Sequence, residues 1–212
     1  WNIRIPDRKS GHKSVTLTNP DRLFPADPGQ RDLARALYGS VSELPILSPH
    51  GHCDPSWFAE NAQFSNPADL FVVPDHYVFR MLVSQGVSMA DLGVPRVDCG
   101  PVETDPRKIW KRFAKASKFF RGTPSALWLD HSFEHVFGLT ERLSLDTADA
   151  YYDHIHAKLG EPDFRPRALF DRFGIEVLAT TESPMPVLPA VPSTTTPPGC
   201  KSPRFTASSM MN

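Results

Sequence analysis

Two histidines near residue 50 have the spacing of a metal-binding pair. His50 and His52 lie in the segment Ser48–Asp54, directly after a short apolar run. Side chains two residues apart on an extended chain point to the same face, so both imidazoles can reach one ion. Zinc and similar divalent metals bind imidazole nitrogen readily. Two ligands do not complete a site, and a polar loop with two histidines by chance is the alternative.

A second group of reactive side chains follows at residues 75–80. Asp75, His76, Tyr77 and Arg80 bring an acid, an imidazole, a phenol and a guanidinium to the start of a predicted helix. Such a set can contact a sugar hydroxyl or a carboxylate. The simpler interpretation is a helix N-cap followed by a solvated first turn, and these residues alone do not decide between the two.

The remaining histidine pairs favour structural roles. His131 and His135 are four residues apart and can share a helical face, but the metalloprotease motif needs Glu directly after the first His. His154 and His156 lie in a predicted helix, where positions two apart point in divergent directions. We therefore interpret all four as packing or surface residues.

Two short strands are predicted to flank a long helical region. Residues 32–44 have helical spacing, and residues 44–49 form a short apolar run typical of a buried strand. Leu23 and Phe24 are predicted apolar anchors of the arm before that helix. Residues 55–174 are predicted to be mainly helical, and residues 175–181 to form the second strand.

Asp105–Pro106 gives the clearest helix start. Asp is a favoured N-cap and Pro a favoured first helical residue. The stripe that follows has helical spacing and is predicted to be buried; its members are Ile109, Phe113, Ala116 and Phe120.

Composition excludes some function classes. Lys and Arg number 23 and Asp and Glu 24 in 212 residues, so charge gives no argument for nucleic acid or an anionic membrane. No apolar run approaches the roughly 18 residues of a membrane span. Three widely spaced cysteines favour a reducing compartment over a disulfide framework, and we expect a cytoplasmic protein.

The predicted organisation has five parts. They are a disordered leader (1–17), an arm with a helix and the first strand (18–54), a helical region (55–174), a second strand (175–184) and a disordered tail (185–212). The tail is predicted to be disordered because it is rich in proline, and such a segment cannot bury enough apolar surface to offset the entropy lost on ordering. Two strands do not make a stable sheet alone, which suggests a larger domain.

The order of motifs resembles the uronate (glucuronate) isomerase family over residues 18–184. The matching motifs are Asp21–Pro25, Leu44–Ile46 with Ser48–His52, Asp75–Tyr77 with Arg80, Leu127–Leu129 with His131 and Phe137–Gly138, and Thr180–Pro184. The resemblance implies an α/β fold, namely part of a distorted (β/α)8 TIM-like barrel of the amidohydrolase superfamily, with a helical insertion after the first strand.

By the same resemblance, the expected reaction interconverts D-glucuronate with D-fructuronate and D-galacturonate with D-tagaturonate. His50 and His52 would bind a divalent metal, zinc foremost. His76 and Tyr77 would face the hexuronate, and Arg80 is the candidate for its carboxylate.

Departures from the family pattern leave other interpretations open. The family's last-strand Asp and Arg have no counterpart, and the pattern is lost after Met185, which suggests a shifted reading frame. We therefore expect little activity from this chain alone. The alternatives are an amidohydrolase-type metal-dependent hydrolase and a non-enzymatic pseudogene fragment. The preferred uronate, the native metal and the oligomeric state are not predicted.

Overall fold

The computed structural model describes residues 17–180. Within them the regular elements follow in this order: α1 (Pro28–Val41), β1 (Ile46–Ser48), α2 (Pro55–Glu60), α3 (Pro67–Phe71), α4 (His76–Ser84), α5 (Pro106–Ala116), α6 (Pro124–His131), a π-helical turn (Ser132–Val136), α7 (Ala148–Leu159), α8 (Pro166–Arg172) and β2 (Ile175–Leu178). Short 3-10 turns lie at Ala90–Leu92, Ser117–Phe120 and Pro162–Phe164. The fold is therefore mixed α/β with a helical majority, and every regular element between residues 55 and 174 is helical.

The two strands form one parallel pair. Ile46 is opposite Ile175, Leu47 opposite Val177, and Ser48 opposite Leu178, with an irregularity in register after Ile46. Parallel neighbours cannot be joined by a tight turn and need a long crossover. Here the crossover consists of α2 to α8, so the helical region connects two adjacent strands.

Asx–Pro and Thr–Pro pairs fix where most of the helices begin. The side chains of Asp54, Asn66, Asp105 and Thr123 each accept a hydrogen bond from a backbone N–H in the first turn of the next helix. Proline then occupies the first helical position, where no N–H is needed and its fixed φ already suits a helix. Asp75 caps α4 in the same way, without proline, by accepting from the N–H groups of two residues.

The hydrophobic core lies among the helices and not at the sheet. Trp110 is completely buried, and its indole N–H donates to the Ala148 carbonyl at 3.0 Å. Rings of Phe71, Phe113 and Phe133 pack around it. The predicted α5 stripe is confirmed, because all four of its members are buried.

Several predictions near the N-terminal side are wrong in detail. The first strand is shorter than predicted and not buried, since the Leu47 side chain is 63% exposed. Leu23 is 73% exposed and is therefore not a buried anchor, whereas the Phe24 ring contacts the ring of Tyr38 in α1. The first helix begins at Pro28 and not at Asp32, because Asp27 caps it by accepting from Gln30 N.

The described residues test the remaining predictions only in part. The predicted disordered leader and tail lie, apart from Leu17, outside the described residues. In the part that the structure describes, no helix is both long and apolar enough to cross a membrane.

Candidate metal and substrate site

The loop after β1 brings the two candidate metal ligands together. Nε2 of His50 lies 3.0 Å from Nε2 of His52, and the ring centroids are 4.8 Å apart. Two zinc–nitrogen bonds at a tetrahedral angle would place their nitrogens about 3.3 Å apart. The predicted convergence of the two rings is therefore confirmed, and a single N–H···N hydrogen bond accounts for the same distance without a metal.

Contacts with the end of β2 hold this loop in place. Ala179 N donates to the Ser48 carbonyl at 2.8 Å, and the Ser48 hydroxyl donates to the His50 carbonyl at 3.0 Å. A Cβ at Gly51 would lie 2.9 Å from the Ala179 carbonyl oxygen. Glycine between the histidines thus lets the loop backbone lie against the end of the second strand.

The described residues supply two candidate metal ligands, His50 and His52, with no third beside them. No cluster of three or more His, Cys, Asp or Glu side chains suitable for a metal occurs in residues 17–180. Cys53 is a free thiol, and burial raises its pKa, which favours the neutral thiol over the metal-binding thiolate. The donor set therefore fits half of a zinc site, since zinc sites in proteins usually have three or four protein ligands.

The N-terminus of α4 presents the candidate substrate contacts. The Asp75 carboxylate accepts from the backbone N–H groups of Tyr77 at 2.8 Å and Val78 at 3.1 Å, which orients the first turn. The His76 and Tyr77 rings lie against each other with centroids 4.2 Å apart. The Trp128 ring of α6 supports Tyr77 edge-on at 5.7 Å. Asp75 can therefore be the N-cap of α4 while His76 and Tyr77 remain candidate substrate contacts, because the cap uses only the Asp75 carboxylate and backbone N–H groups.

Electrostatics link α4 to the histidine loop. The pKa of His76 is lowered by partial burial first, then by the positive charge of Arg80 and by His52, while Asp75 opposes the shift. His76 is therefore a neutral imidazole near pH 7. Arg80 is exposed. The charges of Arg80 and His52 thus both favour the neutral form of His76.

A buried polar cluster under α6 was not predicted. Glu134 is 8% exposed, and its carboxylate accepts from the backbone N–H of Thr18 at 2.9 Å and from the Thr18 hydroxyl. Arg22 Nη2 donates to His131 Nδ1 at 3.0 Å. The only sequence signal was the position of Glu134 between His131 and His135, because nothing local indicates that the arm at Thr18 reaches it.

The other histidines behave as expected from the sequence. The rings of His131 and His135 share a face with centroids 4.4 Å apart and belong to the cluster just described. His154 Nε2 lies 2.7 Å from the Phe137 carbonyl oxygen, and His156 stacks on Tyr152 at 5.9 Å. None of these four lies in a group of three potential metal ligands within the described part of the chain.

Comparisons with known proteins agree on one family. The model of the glucuronate isomerase family matches residues 29–192. A uronate isomerase of Xanthomonas euvesicatoria is 60% identical over 172 residues, which are 81% of this chain and 36% of the relative. A uronate isomerase of Phenylobacterium zucineum is 59% identical over 166 residues, or 78% of this chain and 34% of the relative.

Two solved structures share the fold. The crystal structure of glucuronate isomerase from Caulobacter crescentus superposes with a TM-score of 0.75 at 57% identity, covering 78% of this chain and 35% of that one. Uronate isomerase from Thermotoga maritima gives a TM-score of 0.66 at 25% identity, covering 77% and 33%. The chain thus spans about a third of the length of the relatives and structures that it matches.

Proposed function

This chain belongs to the glucuronate isomerase family, and on that premise we propose that the protein takes part in the aldose–ketose isomerisation of hexuronates. The substrates are D-glucuronate, converted to D-fructuronate, and D-galacturonate, converted to D-tagaturonate. The chain spans about a third of its relatives, so the activity of the whole protein is part of the proposal. Residues 17–180 contribute one side of the active site.

The observation that carries the proposal is the convergence of two separate motifs on one place. The His50–His52 pair follows β1 and His76 begins α4, and a positive charge on His52 would lower the pKa of His76, as burial and Arg80 do more strongly. In (β/α)8 barrels, active sites lie at the carboxyl ends of the strands, which is where this loop follows β1. We place β1 and β2 as neighbouring strands of a distorted (β/α)8 TIM-like barrel of the amidohydrolase superfamily, with the helices between them as an insertion.

The chemistry requires a proton to move between two carbons. Moving the carbonyl from C1 to C2 removes the C2 proton and returns a proton to C1 through an enediol. His76 is neutral near pH 7 and can accept a hydrogen bond or a proton at a ring nitrogen. The exposed Tyr77 hydroxyl can donate to the carbonyl or hydroxyl oxygen of the sugar. Arg80 can bind the substrate carboxylate in a two-point contact.

A divalent metal, zinc foremost, would be held by His50 and His52 together with a ligand from outside the described residues. When bound, the metal would stabilise negative charge on the reacting oxygen. The distance between the two Nε2 atoms is compatible with this role. The alternative of an amidohydrolase-type hydrolase has less support, because the relatives named above are isomerases.

A chimeric enzyme tests the function directly. The matched 172 residues of the Xanthomonas relative are replaced by the corresponding residues of this chain, which are 60% identical. We expect the chimera to convert D-glucuronate to a ketose within about tenfold of the parent rate, since the parent supplies the part of the site that lies outside the matched residues. His76→Asn or Tyr77→Phe in the chimera should lower kcat by about 10²- to 10⁴-fold, as for loss of a positioned acid–base group.

Controls separate chemistry from folding. His156→Asn, on the exposed side of α7, should leave kcat unchanged. His50→Ala should weaken zinc binding, measured by competition with a chromogenic chelator. A folded chimera that binds zinc and does not isomerise either uronate would contradict the proposal. The unmodified chain should be far slower than the chimera, because its described residues supply only two metal ligands.

A further inference from the structure

The short helix that follows the histidine loop is held at its C-terminal end by a side chain of α8. Helix α2 has only six residues, and a helix of that length is not stable without tertiary contacts. Its last carbonyl groups have no donor within the helix. Arg167 Nε donates to the Phe58 carbonyl at 2.8 Å, and Arg167 Nη2 donates to the Ala59 carbonyl at 3.0 Å. The Arg167 guanidinium is therefore the C-terminal cap of α2.

Helix α8 receives its own cap from α2 in return. The side-chain oxygen of Asn61 accepts from the backbone N–H of Arg167, in the first turn of α8, at 3.0 Å. Arg165, which directly precedes α8, carries only donors and cannot fill this role. Asn61 ends α2 in the left-handed conformation, with φ of 51°, which asparagine tolerates. We call the contacts of Arg167 with Phe58, Ala59 and Asn61 the α2–α8 clasp.

The histidine loop is tied at both ends to one structural unit. Residues 49–54 connect β1 to α2 and carry the two candidate metal ligands. At the start of this segment, Ala179 N donates to the Ser48 carbonyl at 2.8 Å, which fixes it to the end of β2. At its other end, α2 is fixed to α8 by the clasp. Only residues 173–174 separate α8 from β2, so both attachments belong to consecutive elements of the chain.

We propose that Arg167 is a positioning residue for His50 and His52, acting through the backbone of α2. A segment held at both ends has fewer conformations than one held at a single end, so less entropy is lost when both rings bind one divalent metal ion. The clasp thereby keeps the two rings in the facing arrangement, with their Nε2 atoms 3.0 Å apart. The proposal rests on the metal role that the proposed function gives to this pair.

Zinc titration of the full chain tests this role. Arg167→Ala removes both guanidinium donors, and because the Arg167 side chain is exposed, the substitution leaves no cavity. We expect its zinc Kd, measured by competition with a chromogenic chelator, to rise about tenfold, as when a group that orients a metal ligand is lost. Arg167→Lys keeps the charge with a single donor group and should recover part of the affinity. Asn61→Gly removes the acceptor, permits the left-handed backbone and should also weaken zinc binding.

Arg172→Ala is the matched control on the same helix. Arg172 Nη2 donates to the Val136 carbonyl at 3.3 Å, in the π-helical turn, so its loss removes an arginine–carbonyl contact that does not involve α2. Its zinc Kd should equal that of the unmodified chain. A second measurement needs no metal: the ¹⁵N resonances of the His50 and His52 rings should shift in Arg167→Ala and stay unchanged in Arg172→Ala.

The outcomes separate positioning from a general loss of stability. A folded Arg167→Ala chain with the zinc Kd and the ring resonances of Arg172→Ala overturns the proposal, even if its unfolding temperature is lower. If Arg167→Ala does not fold, unchanged zinc affinity in both Arg167→Lys and Asn61→Gly overturns it. An unmodified chain that does not bind zinc contradicts the metal of the proposed function, while a ring shift confined to Arg167→Ala still supports the positioning role.

Discussion

Acidification from pH 7.5 to 5.0 is expected to destabilise the chain through His131. Its Nδ1 accepts from the Arg22 guanidinium, which can only donate, so the folded state needs the neutral ring. Partial burial, then the neighbouring His135 and Arg22, lowers the pKa of His131 to about 4, against the opposing charge of Glu134. Its other nitrogen, Nε2, is buried without a hydrogen-bond partner among the described residues.

The pH window follows from these two pKa values. In the unfolded chain His131 titrates near 6.5, so above that pH neither state is protonated and His131 gives no pH dependence. As the pH falls below 6.5, the unfolded state binds a proton that the folded state excludes until about pH 4. Stability therefore decreases between pH 6.5 and 4. Linkage gives about 2 kcal/mol between pH 7.5 and 5.0, and about 1 kcal/mol once solvent screening of a partly exposed ring is included.

The variant His131→Asn isolates this contribution. The Asn side-chain oxygen can replace Nδ1 as acceptor for Arg22 and carries no charge at any pH. Asn has a lower helix propensity, but that cost is the same at both pH values. Urea unfolding followed by circular dichroism at pH 7.5 and 5.0 should show that the variant loses about 1 kcal/mol less than the unmodified chain. His156→Asn, at an exposed position of α7, is the control and should keep the full loss.

The reasoning fails if His131→Asn and the unmodified chain lose the same free energy of unfolding over this pH range. It also fails if stability rises on acidification, because a partly buried neutral imidazole next to Arg22 can only oppose protonation. A change in the slope of unfolding against urea would indicate a different denatured or native state and would require a second probe.

Three further substitutions have defined outcomes. Trp110→Ala should lower the free energy of unfolding by about 3–5 kcal/mol, because it removes a completely buried ring and leaves the Ala148 carbonyl without its donor; an unchanged urea midpoint would contradict this. Asp105→Ala should cost about 1 kcal/mol in urea unfolding by removing the α5 cap, and an equally stable variant would show that the cap is not needed. Trp128→Leu should move the NMR ring resonances of Tyr77, since it removes the ring 5.7 Å away, and unmoved resonances would show that Trp128 does not position it.

Local sequence was sufficient wherever a short-range rule applied. The Asp105–Pro106 start specified α5 because capping and proline geometry involve neighbouring residues only. The facing rings of His50 and His52 follow from the alternation of side chains along extended chain, and the distance of 3.0 Å confirms it. Periodicity also identified the buried stripe of α5, because that stripe has a helix to pack against.

Tertiary structure decided which apolar helix faces are buried and which residues distant in sequence come into contact. The stripe of α1 has the same periodicity as that of α5 but is exposed, because periodicity specifies a face and not its partner. The contact of Thr18 with Glu134 spans 116 residues, and β1 pairs with β2 across the whole helical crossover. Such long-range contacts depend on how the whole chain packs, so the sequence determined the chemical groups of the site and the fold determined which of them share it.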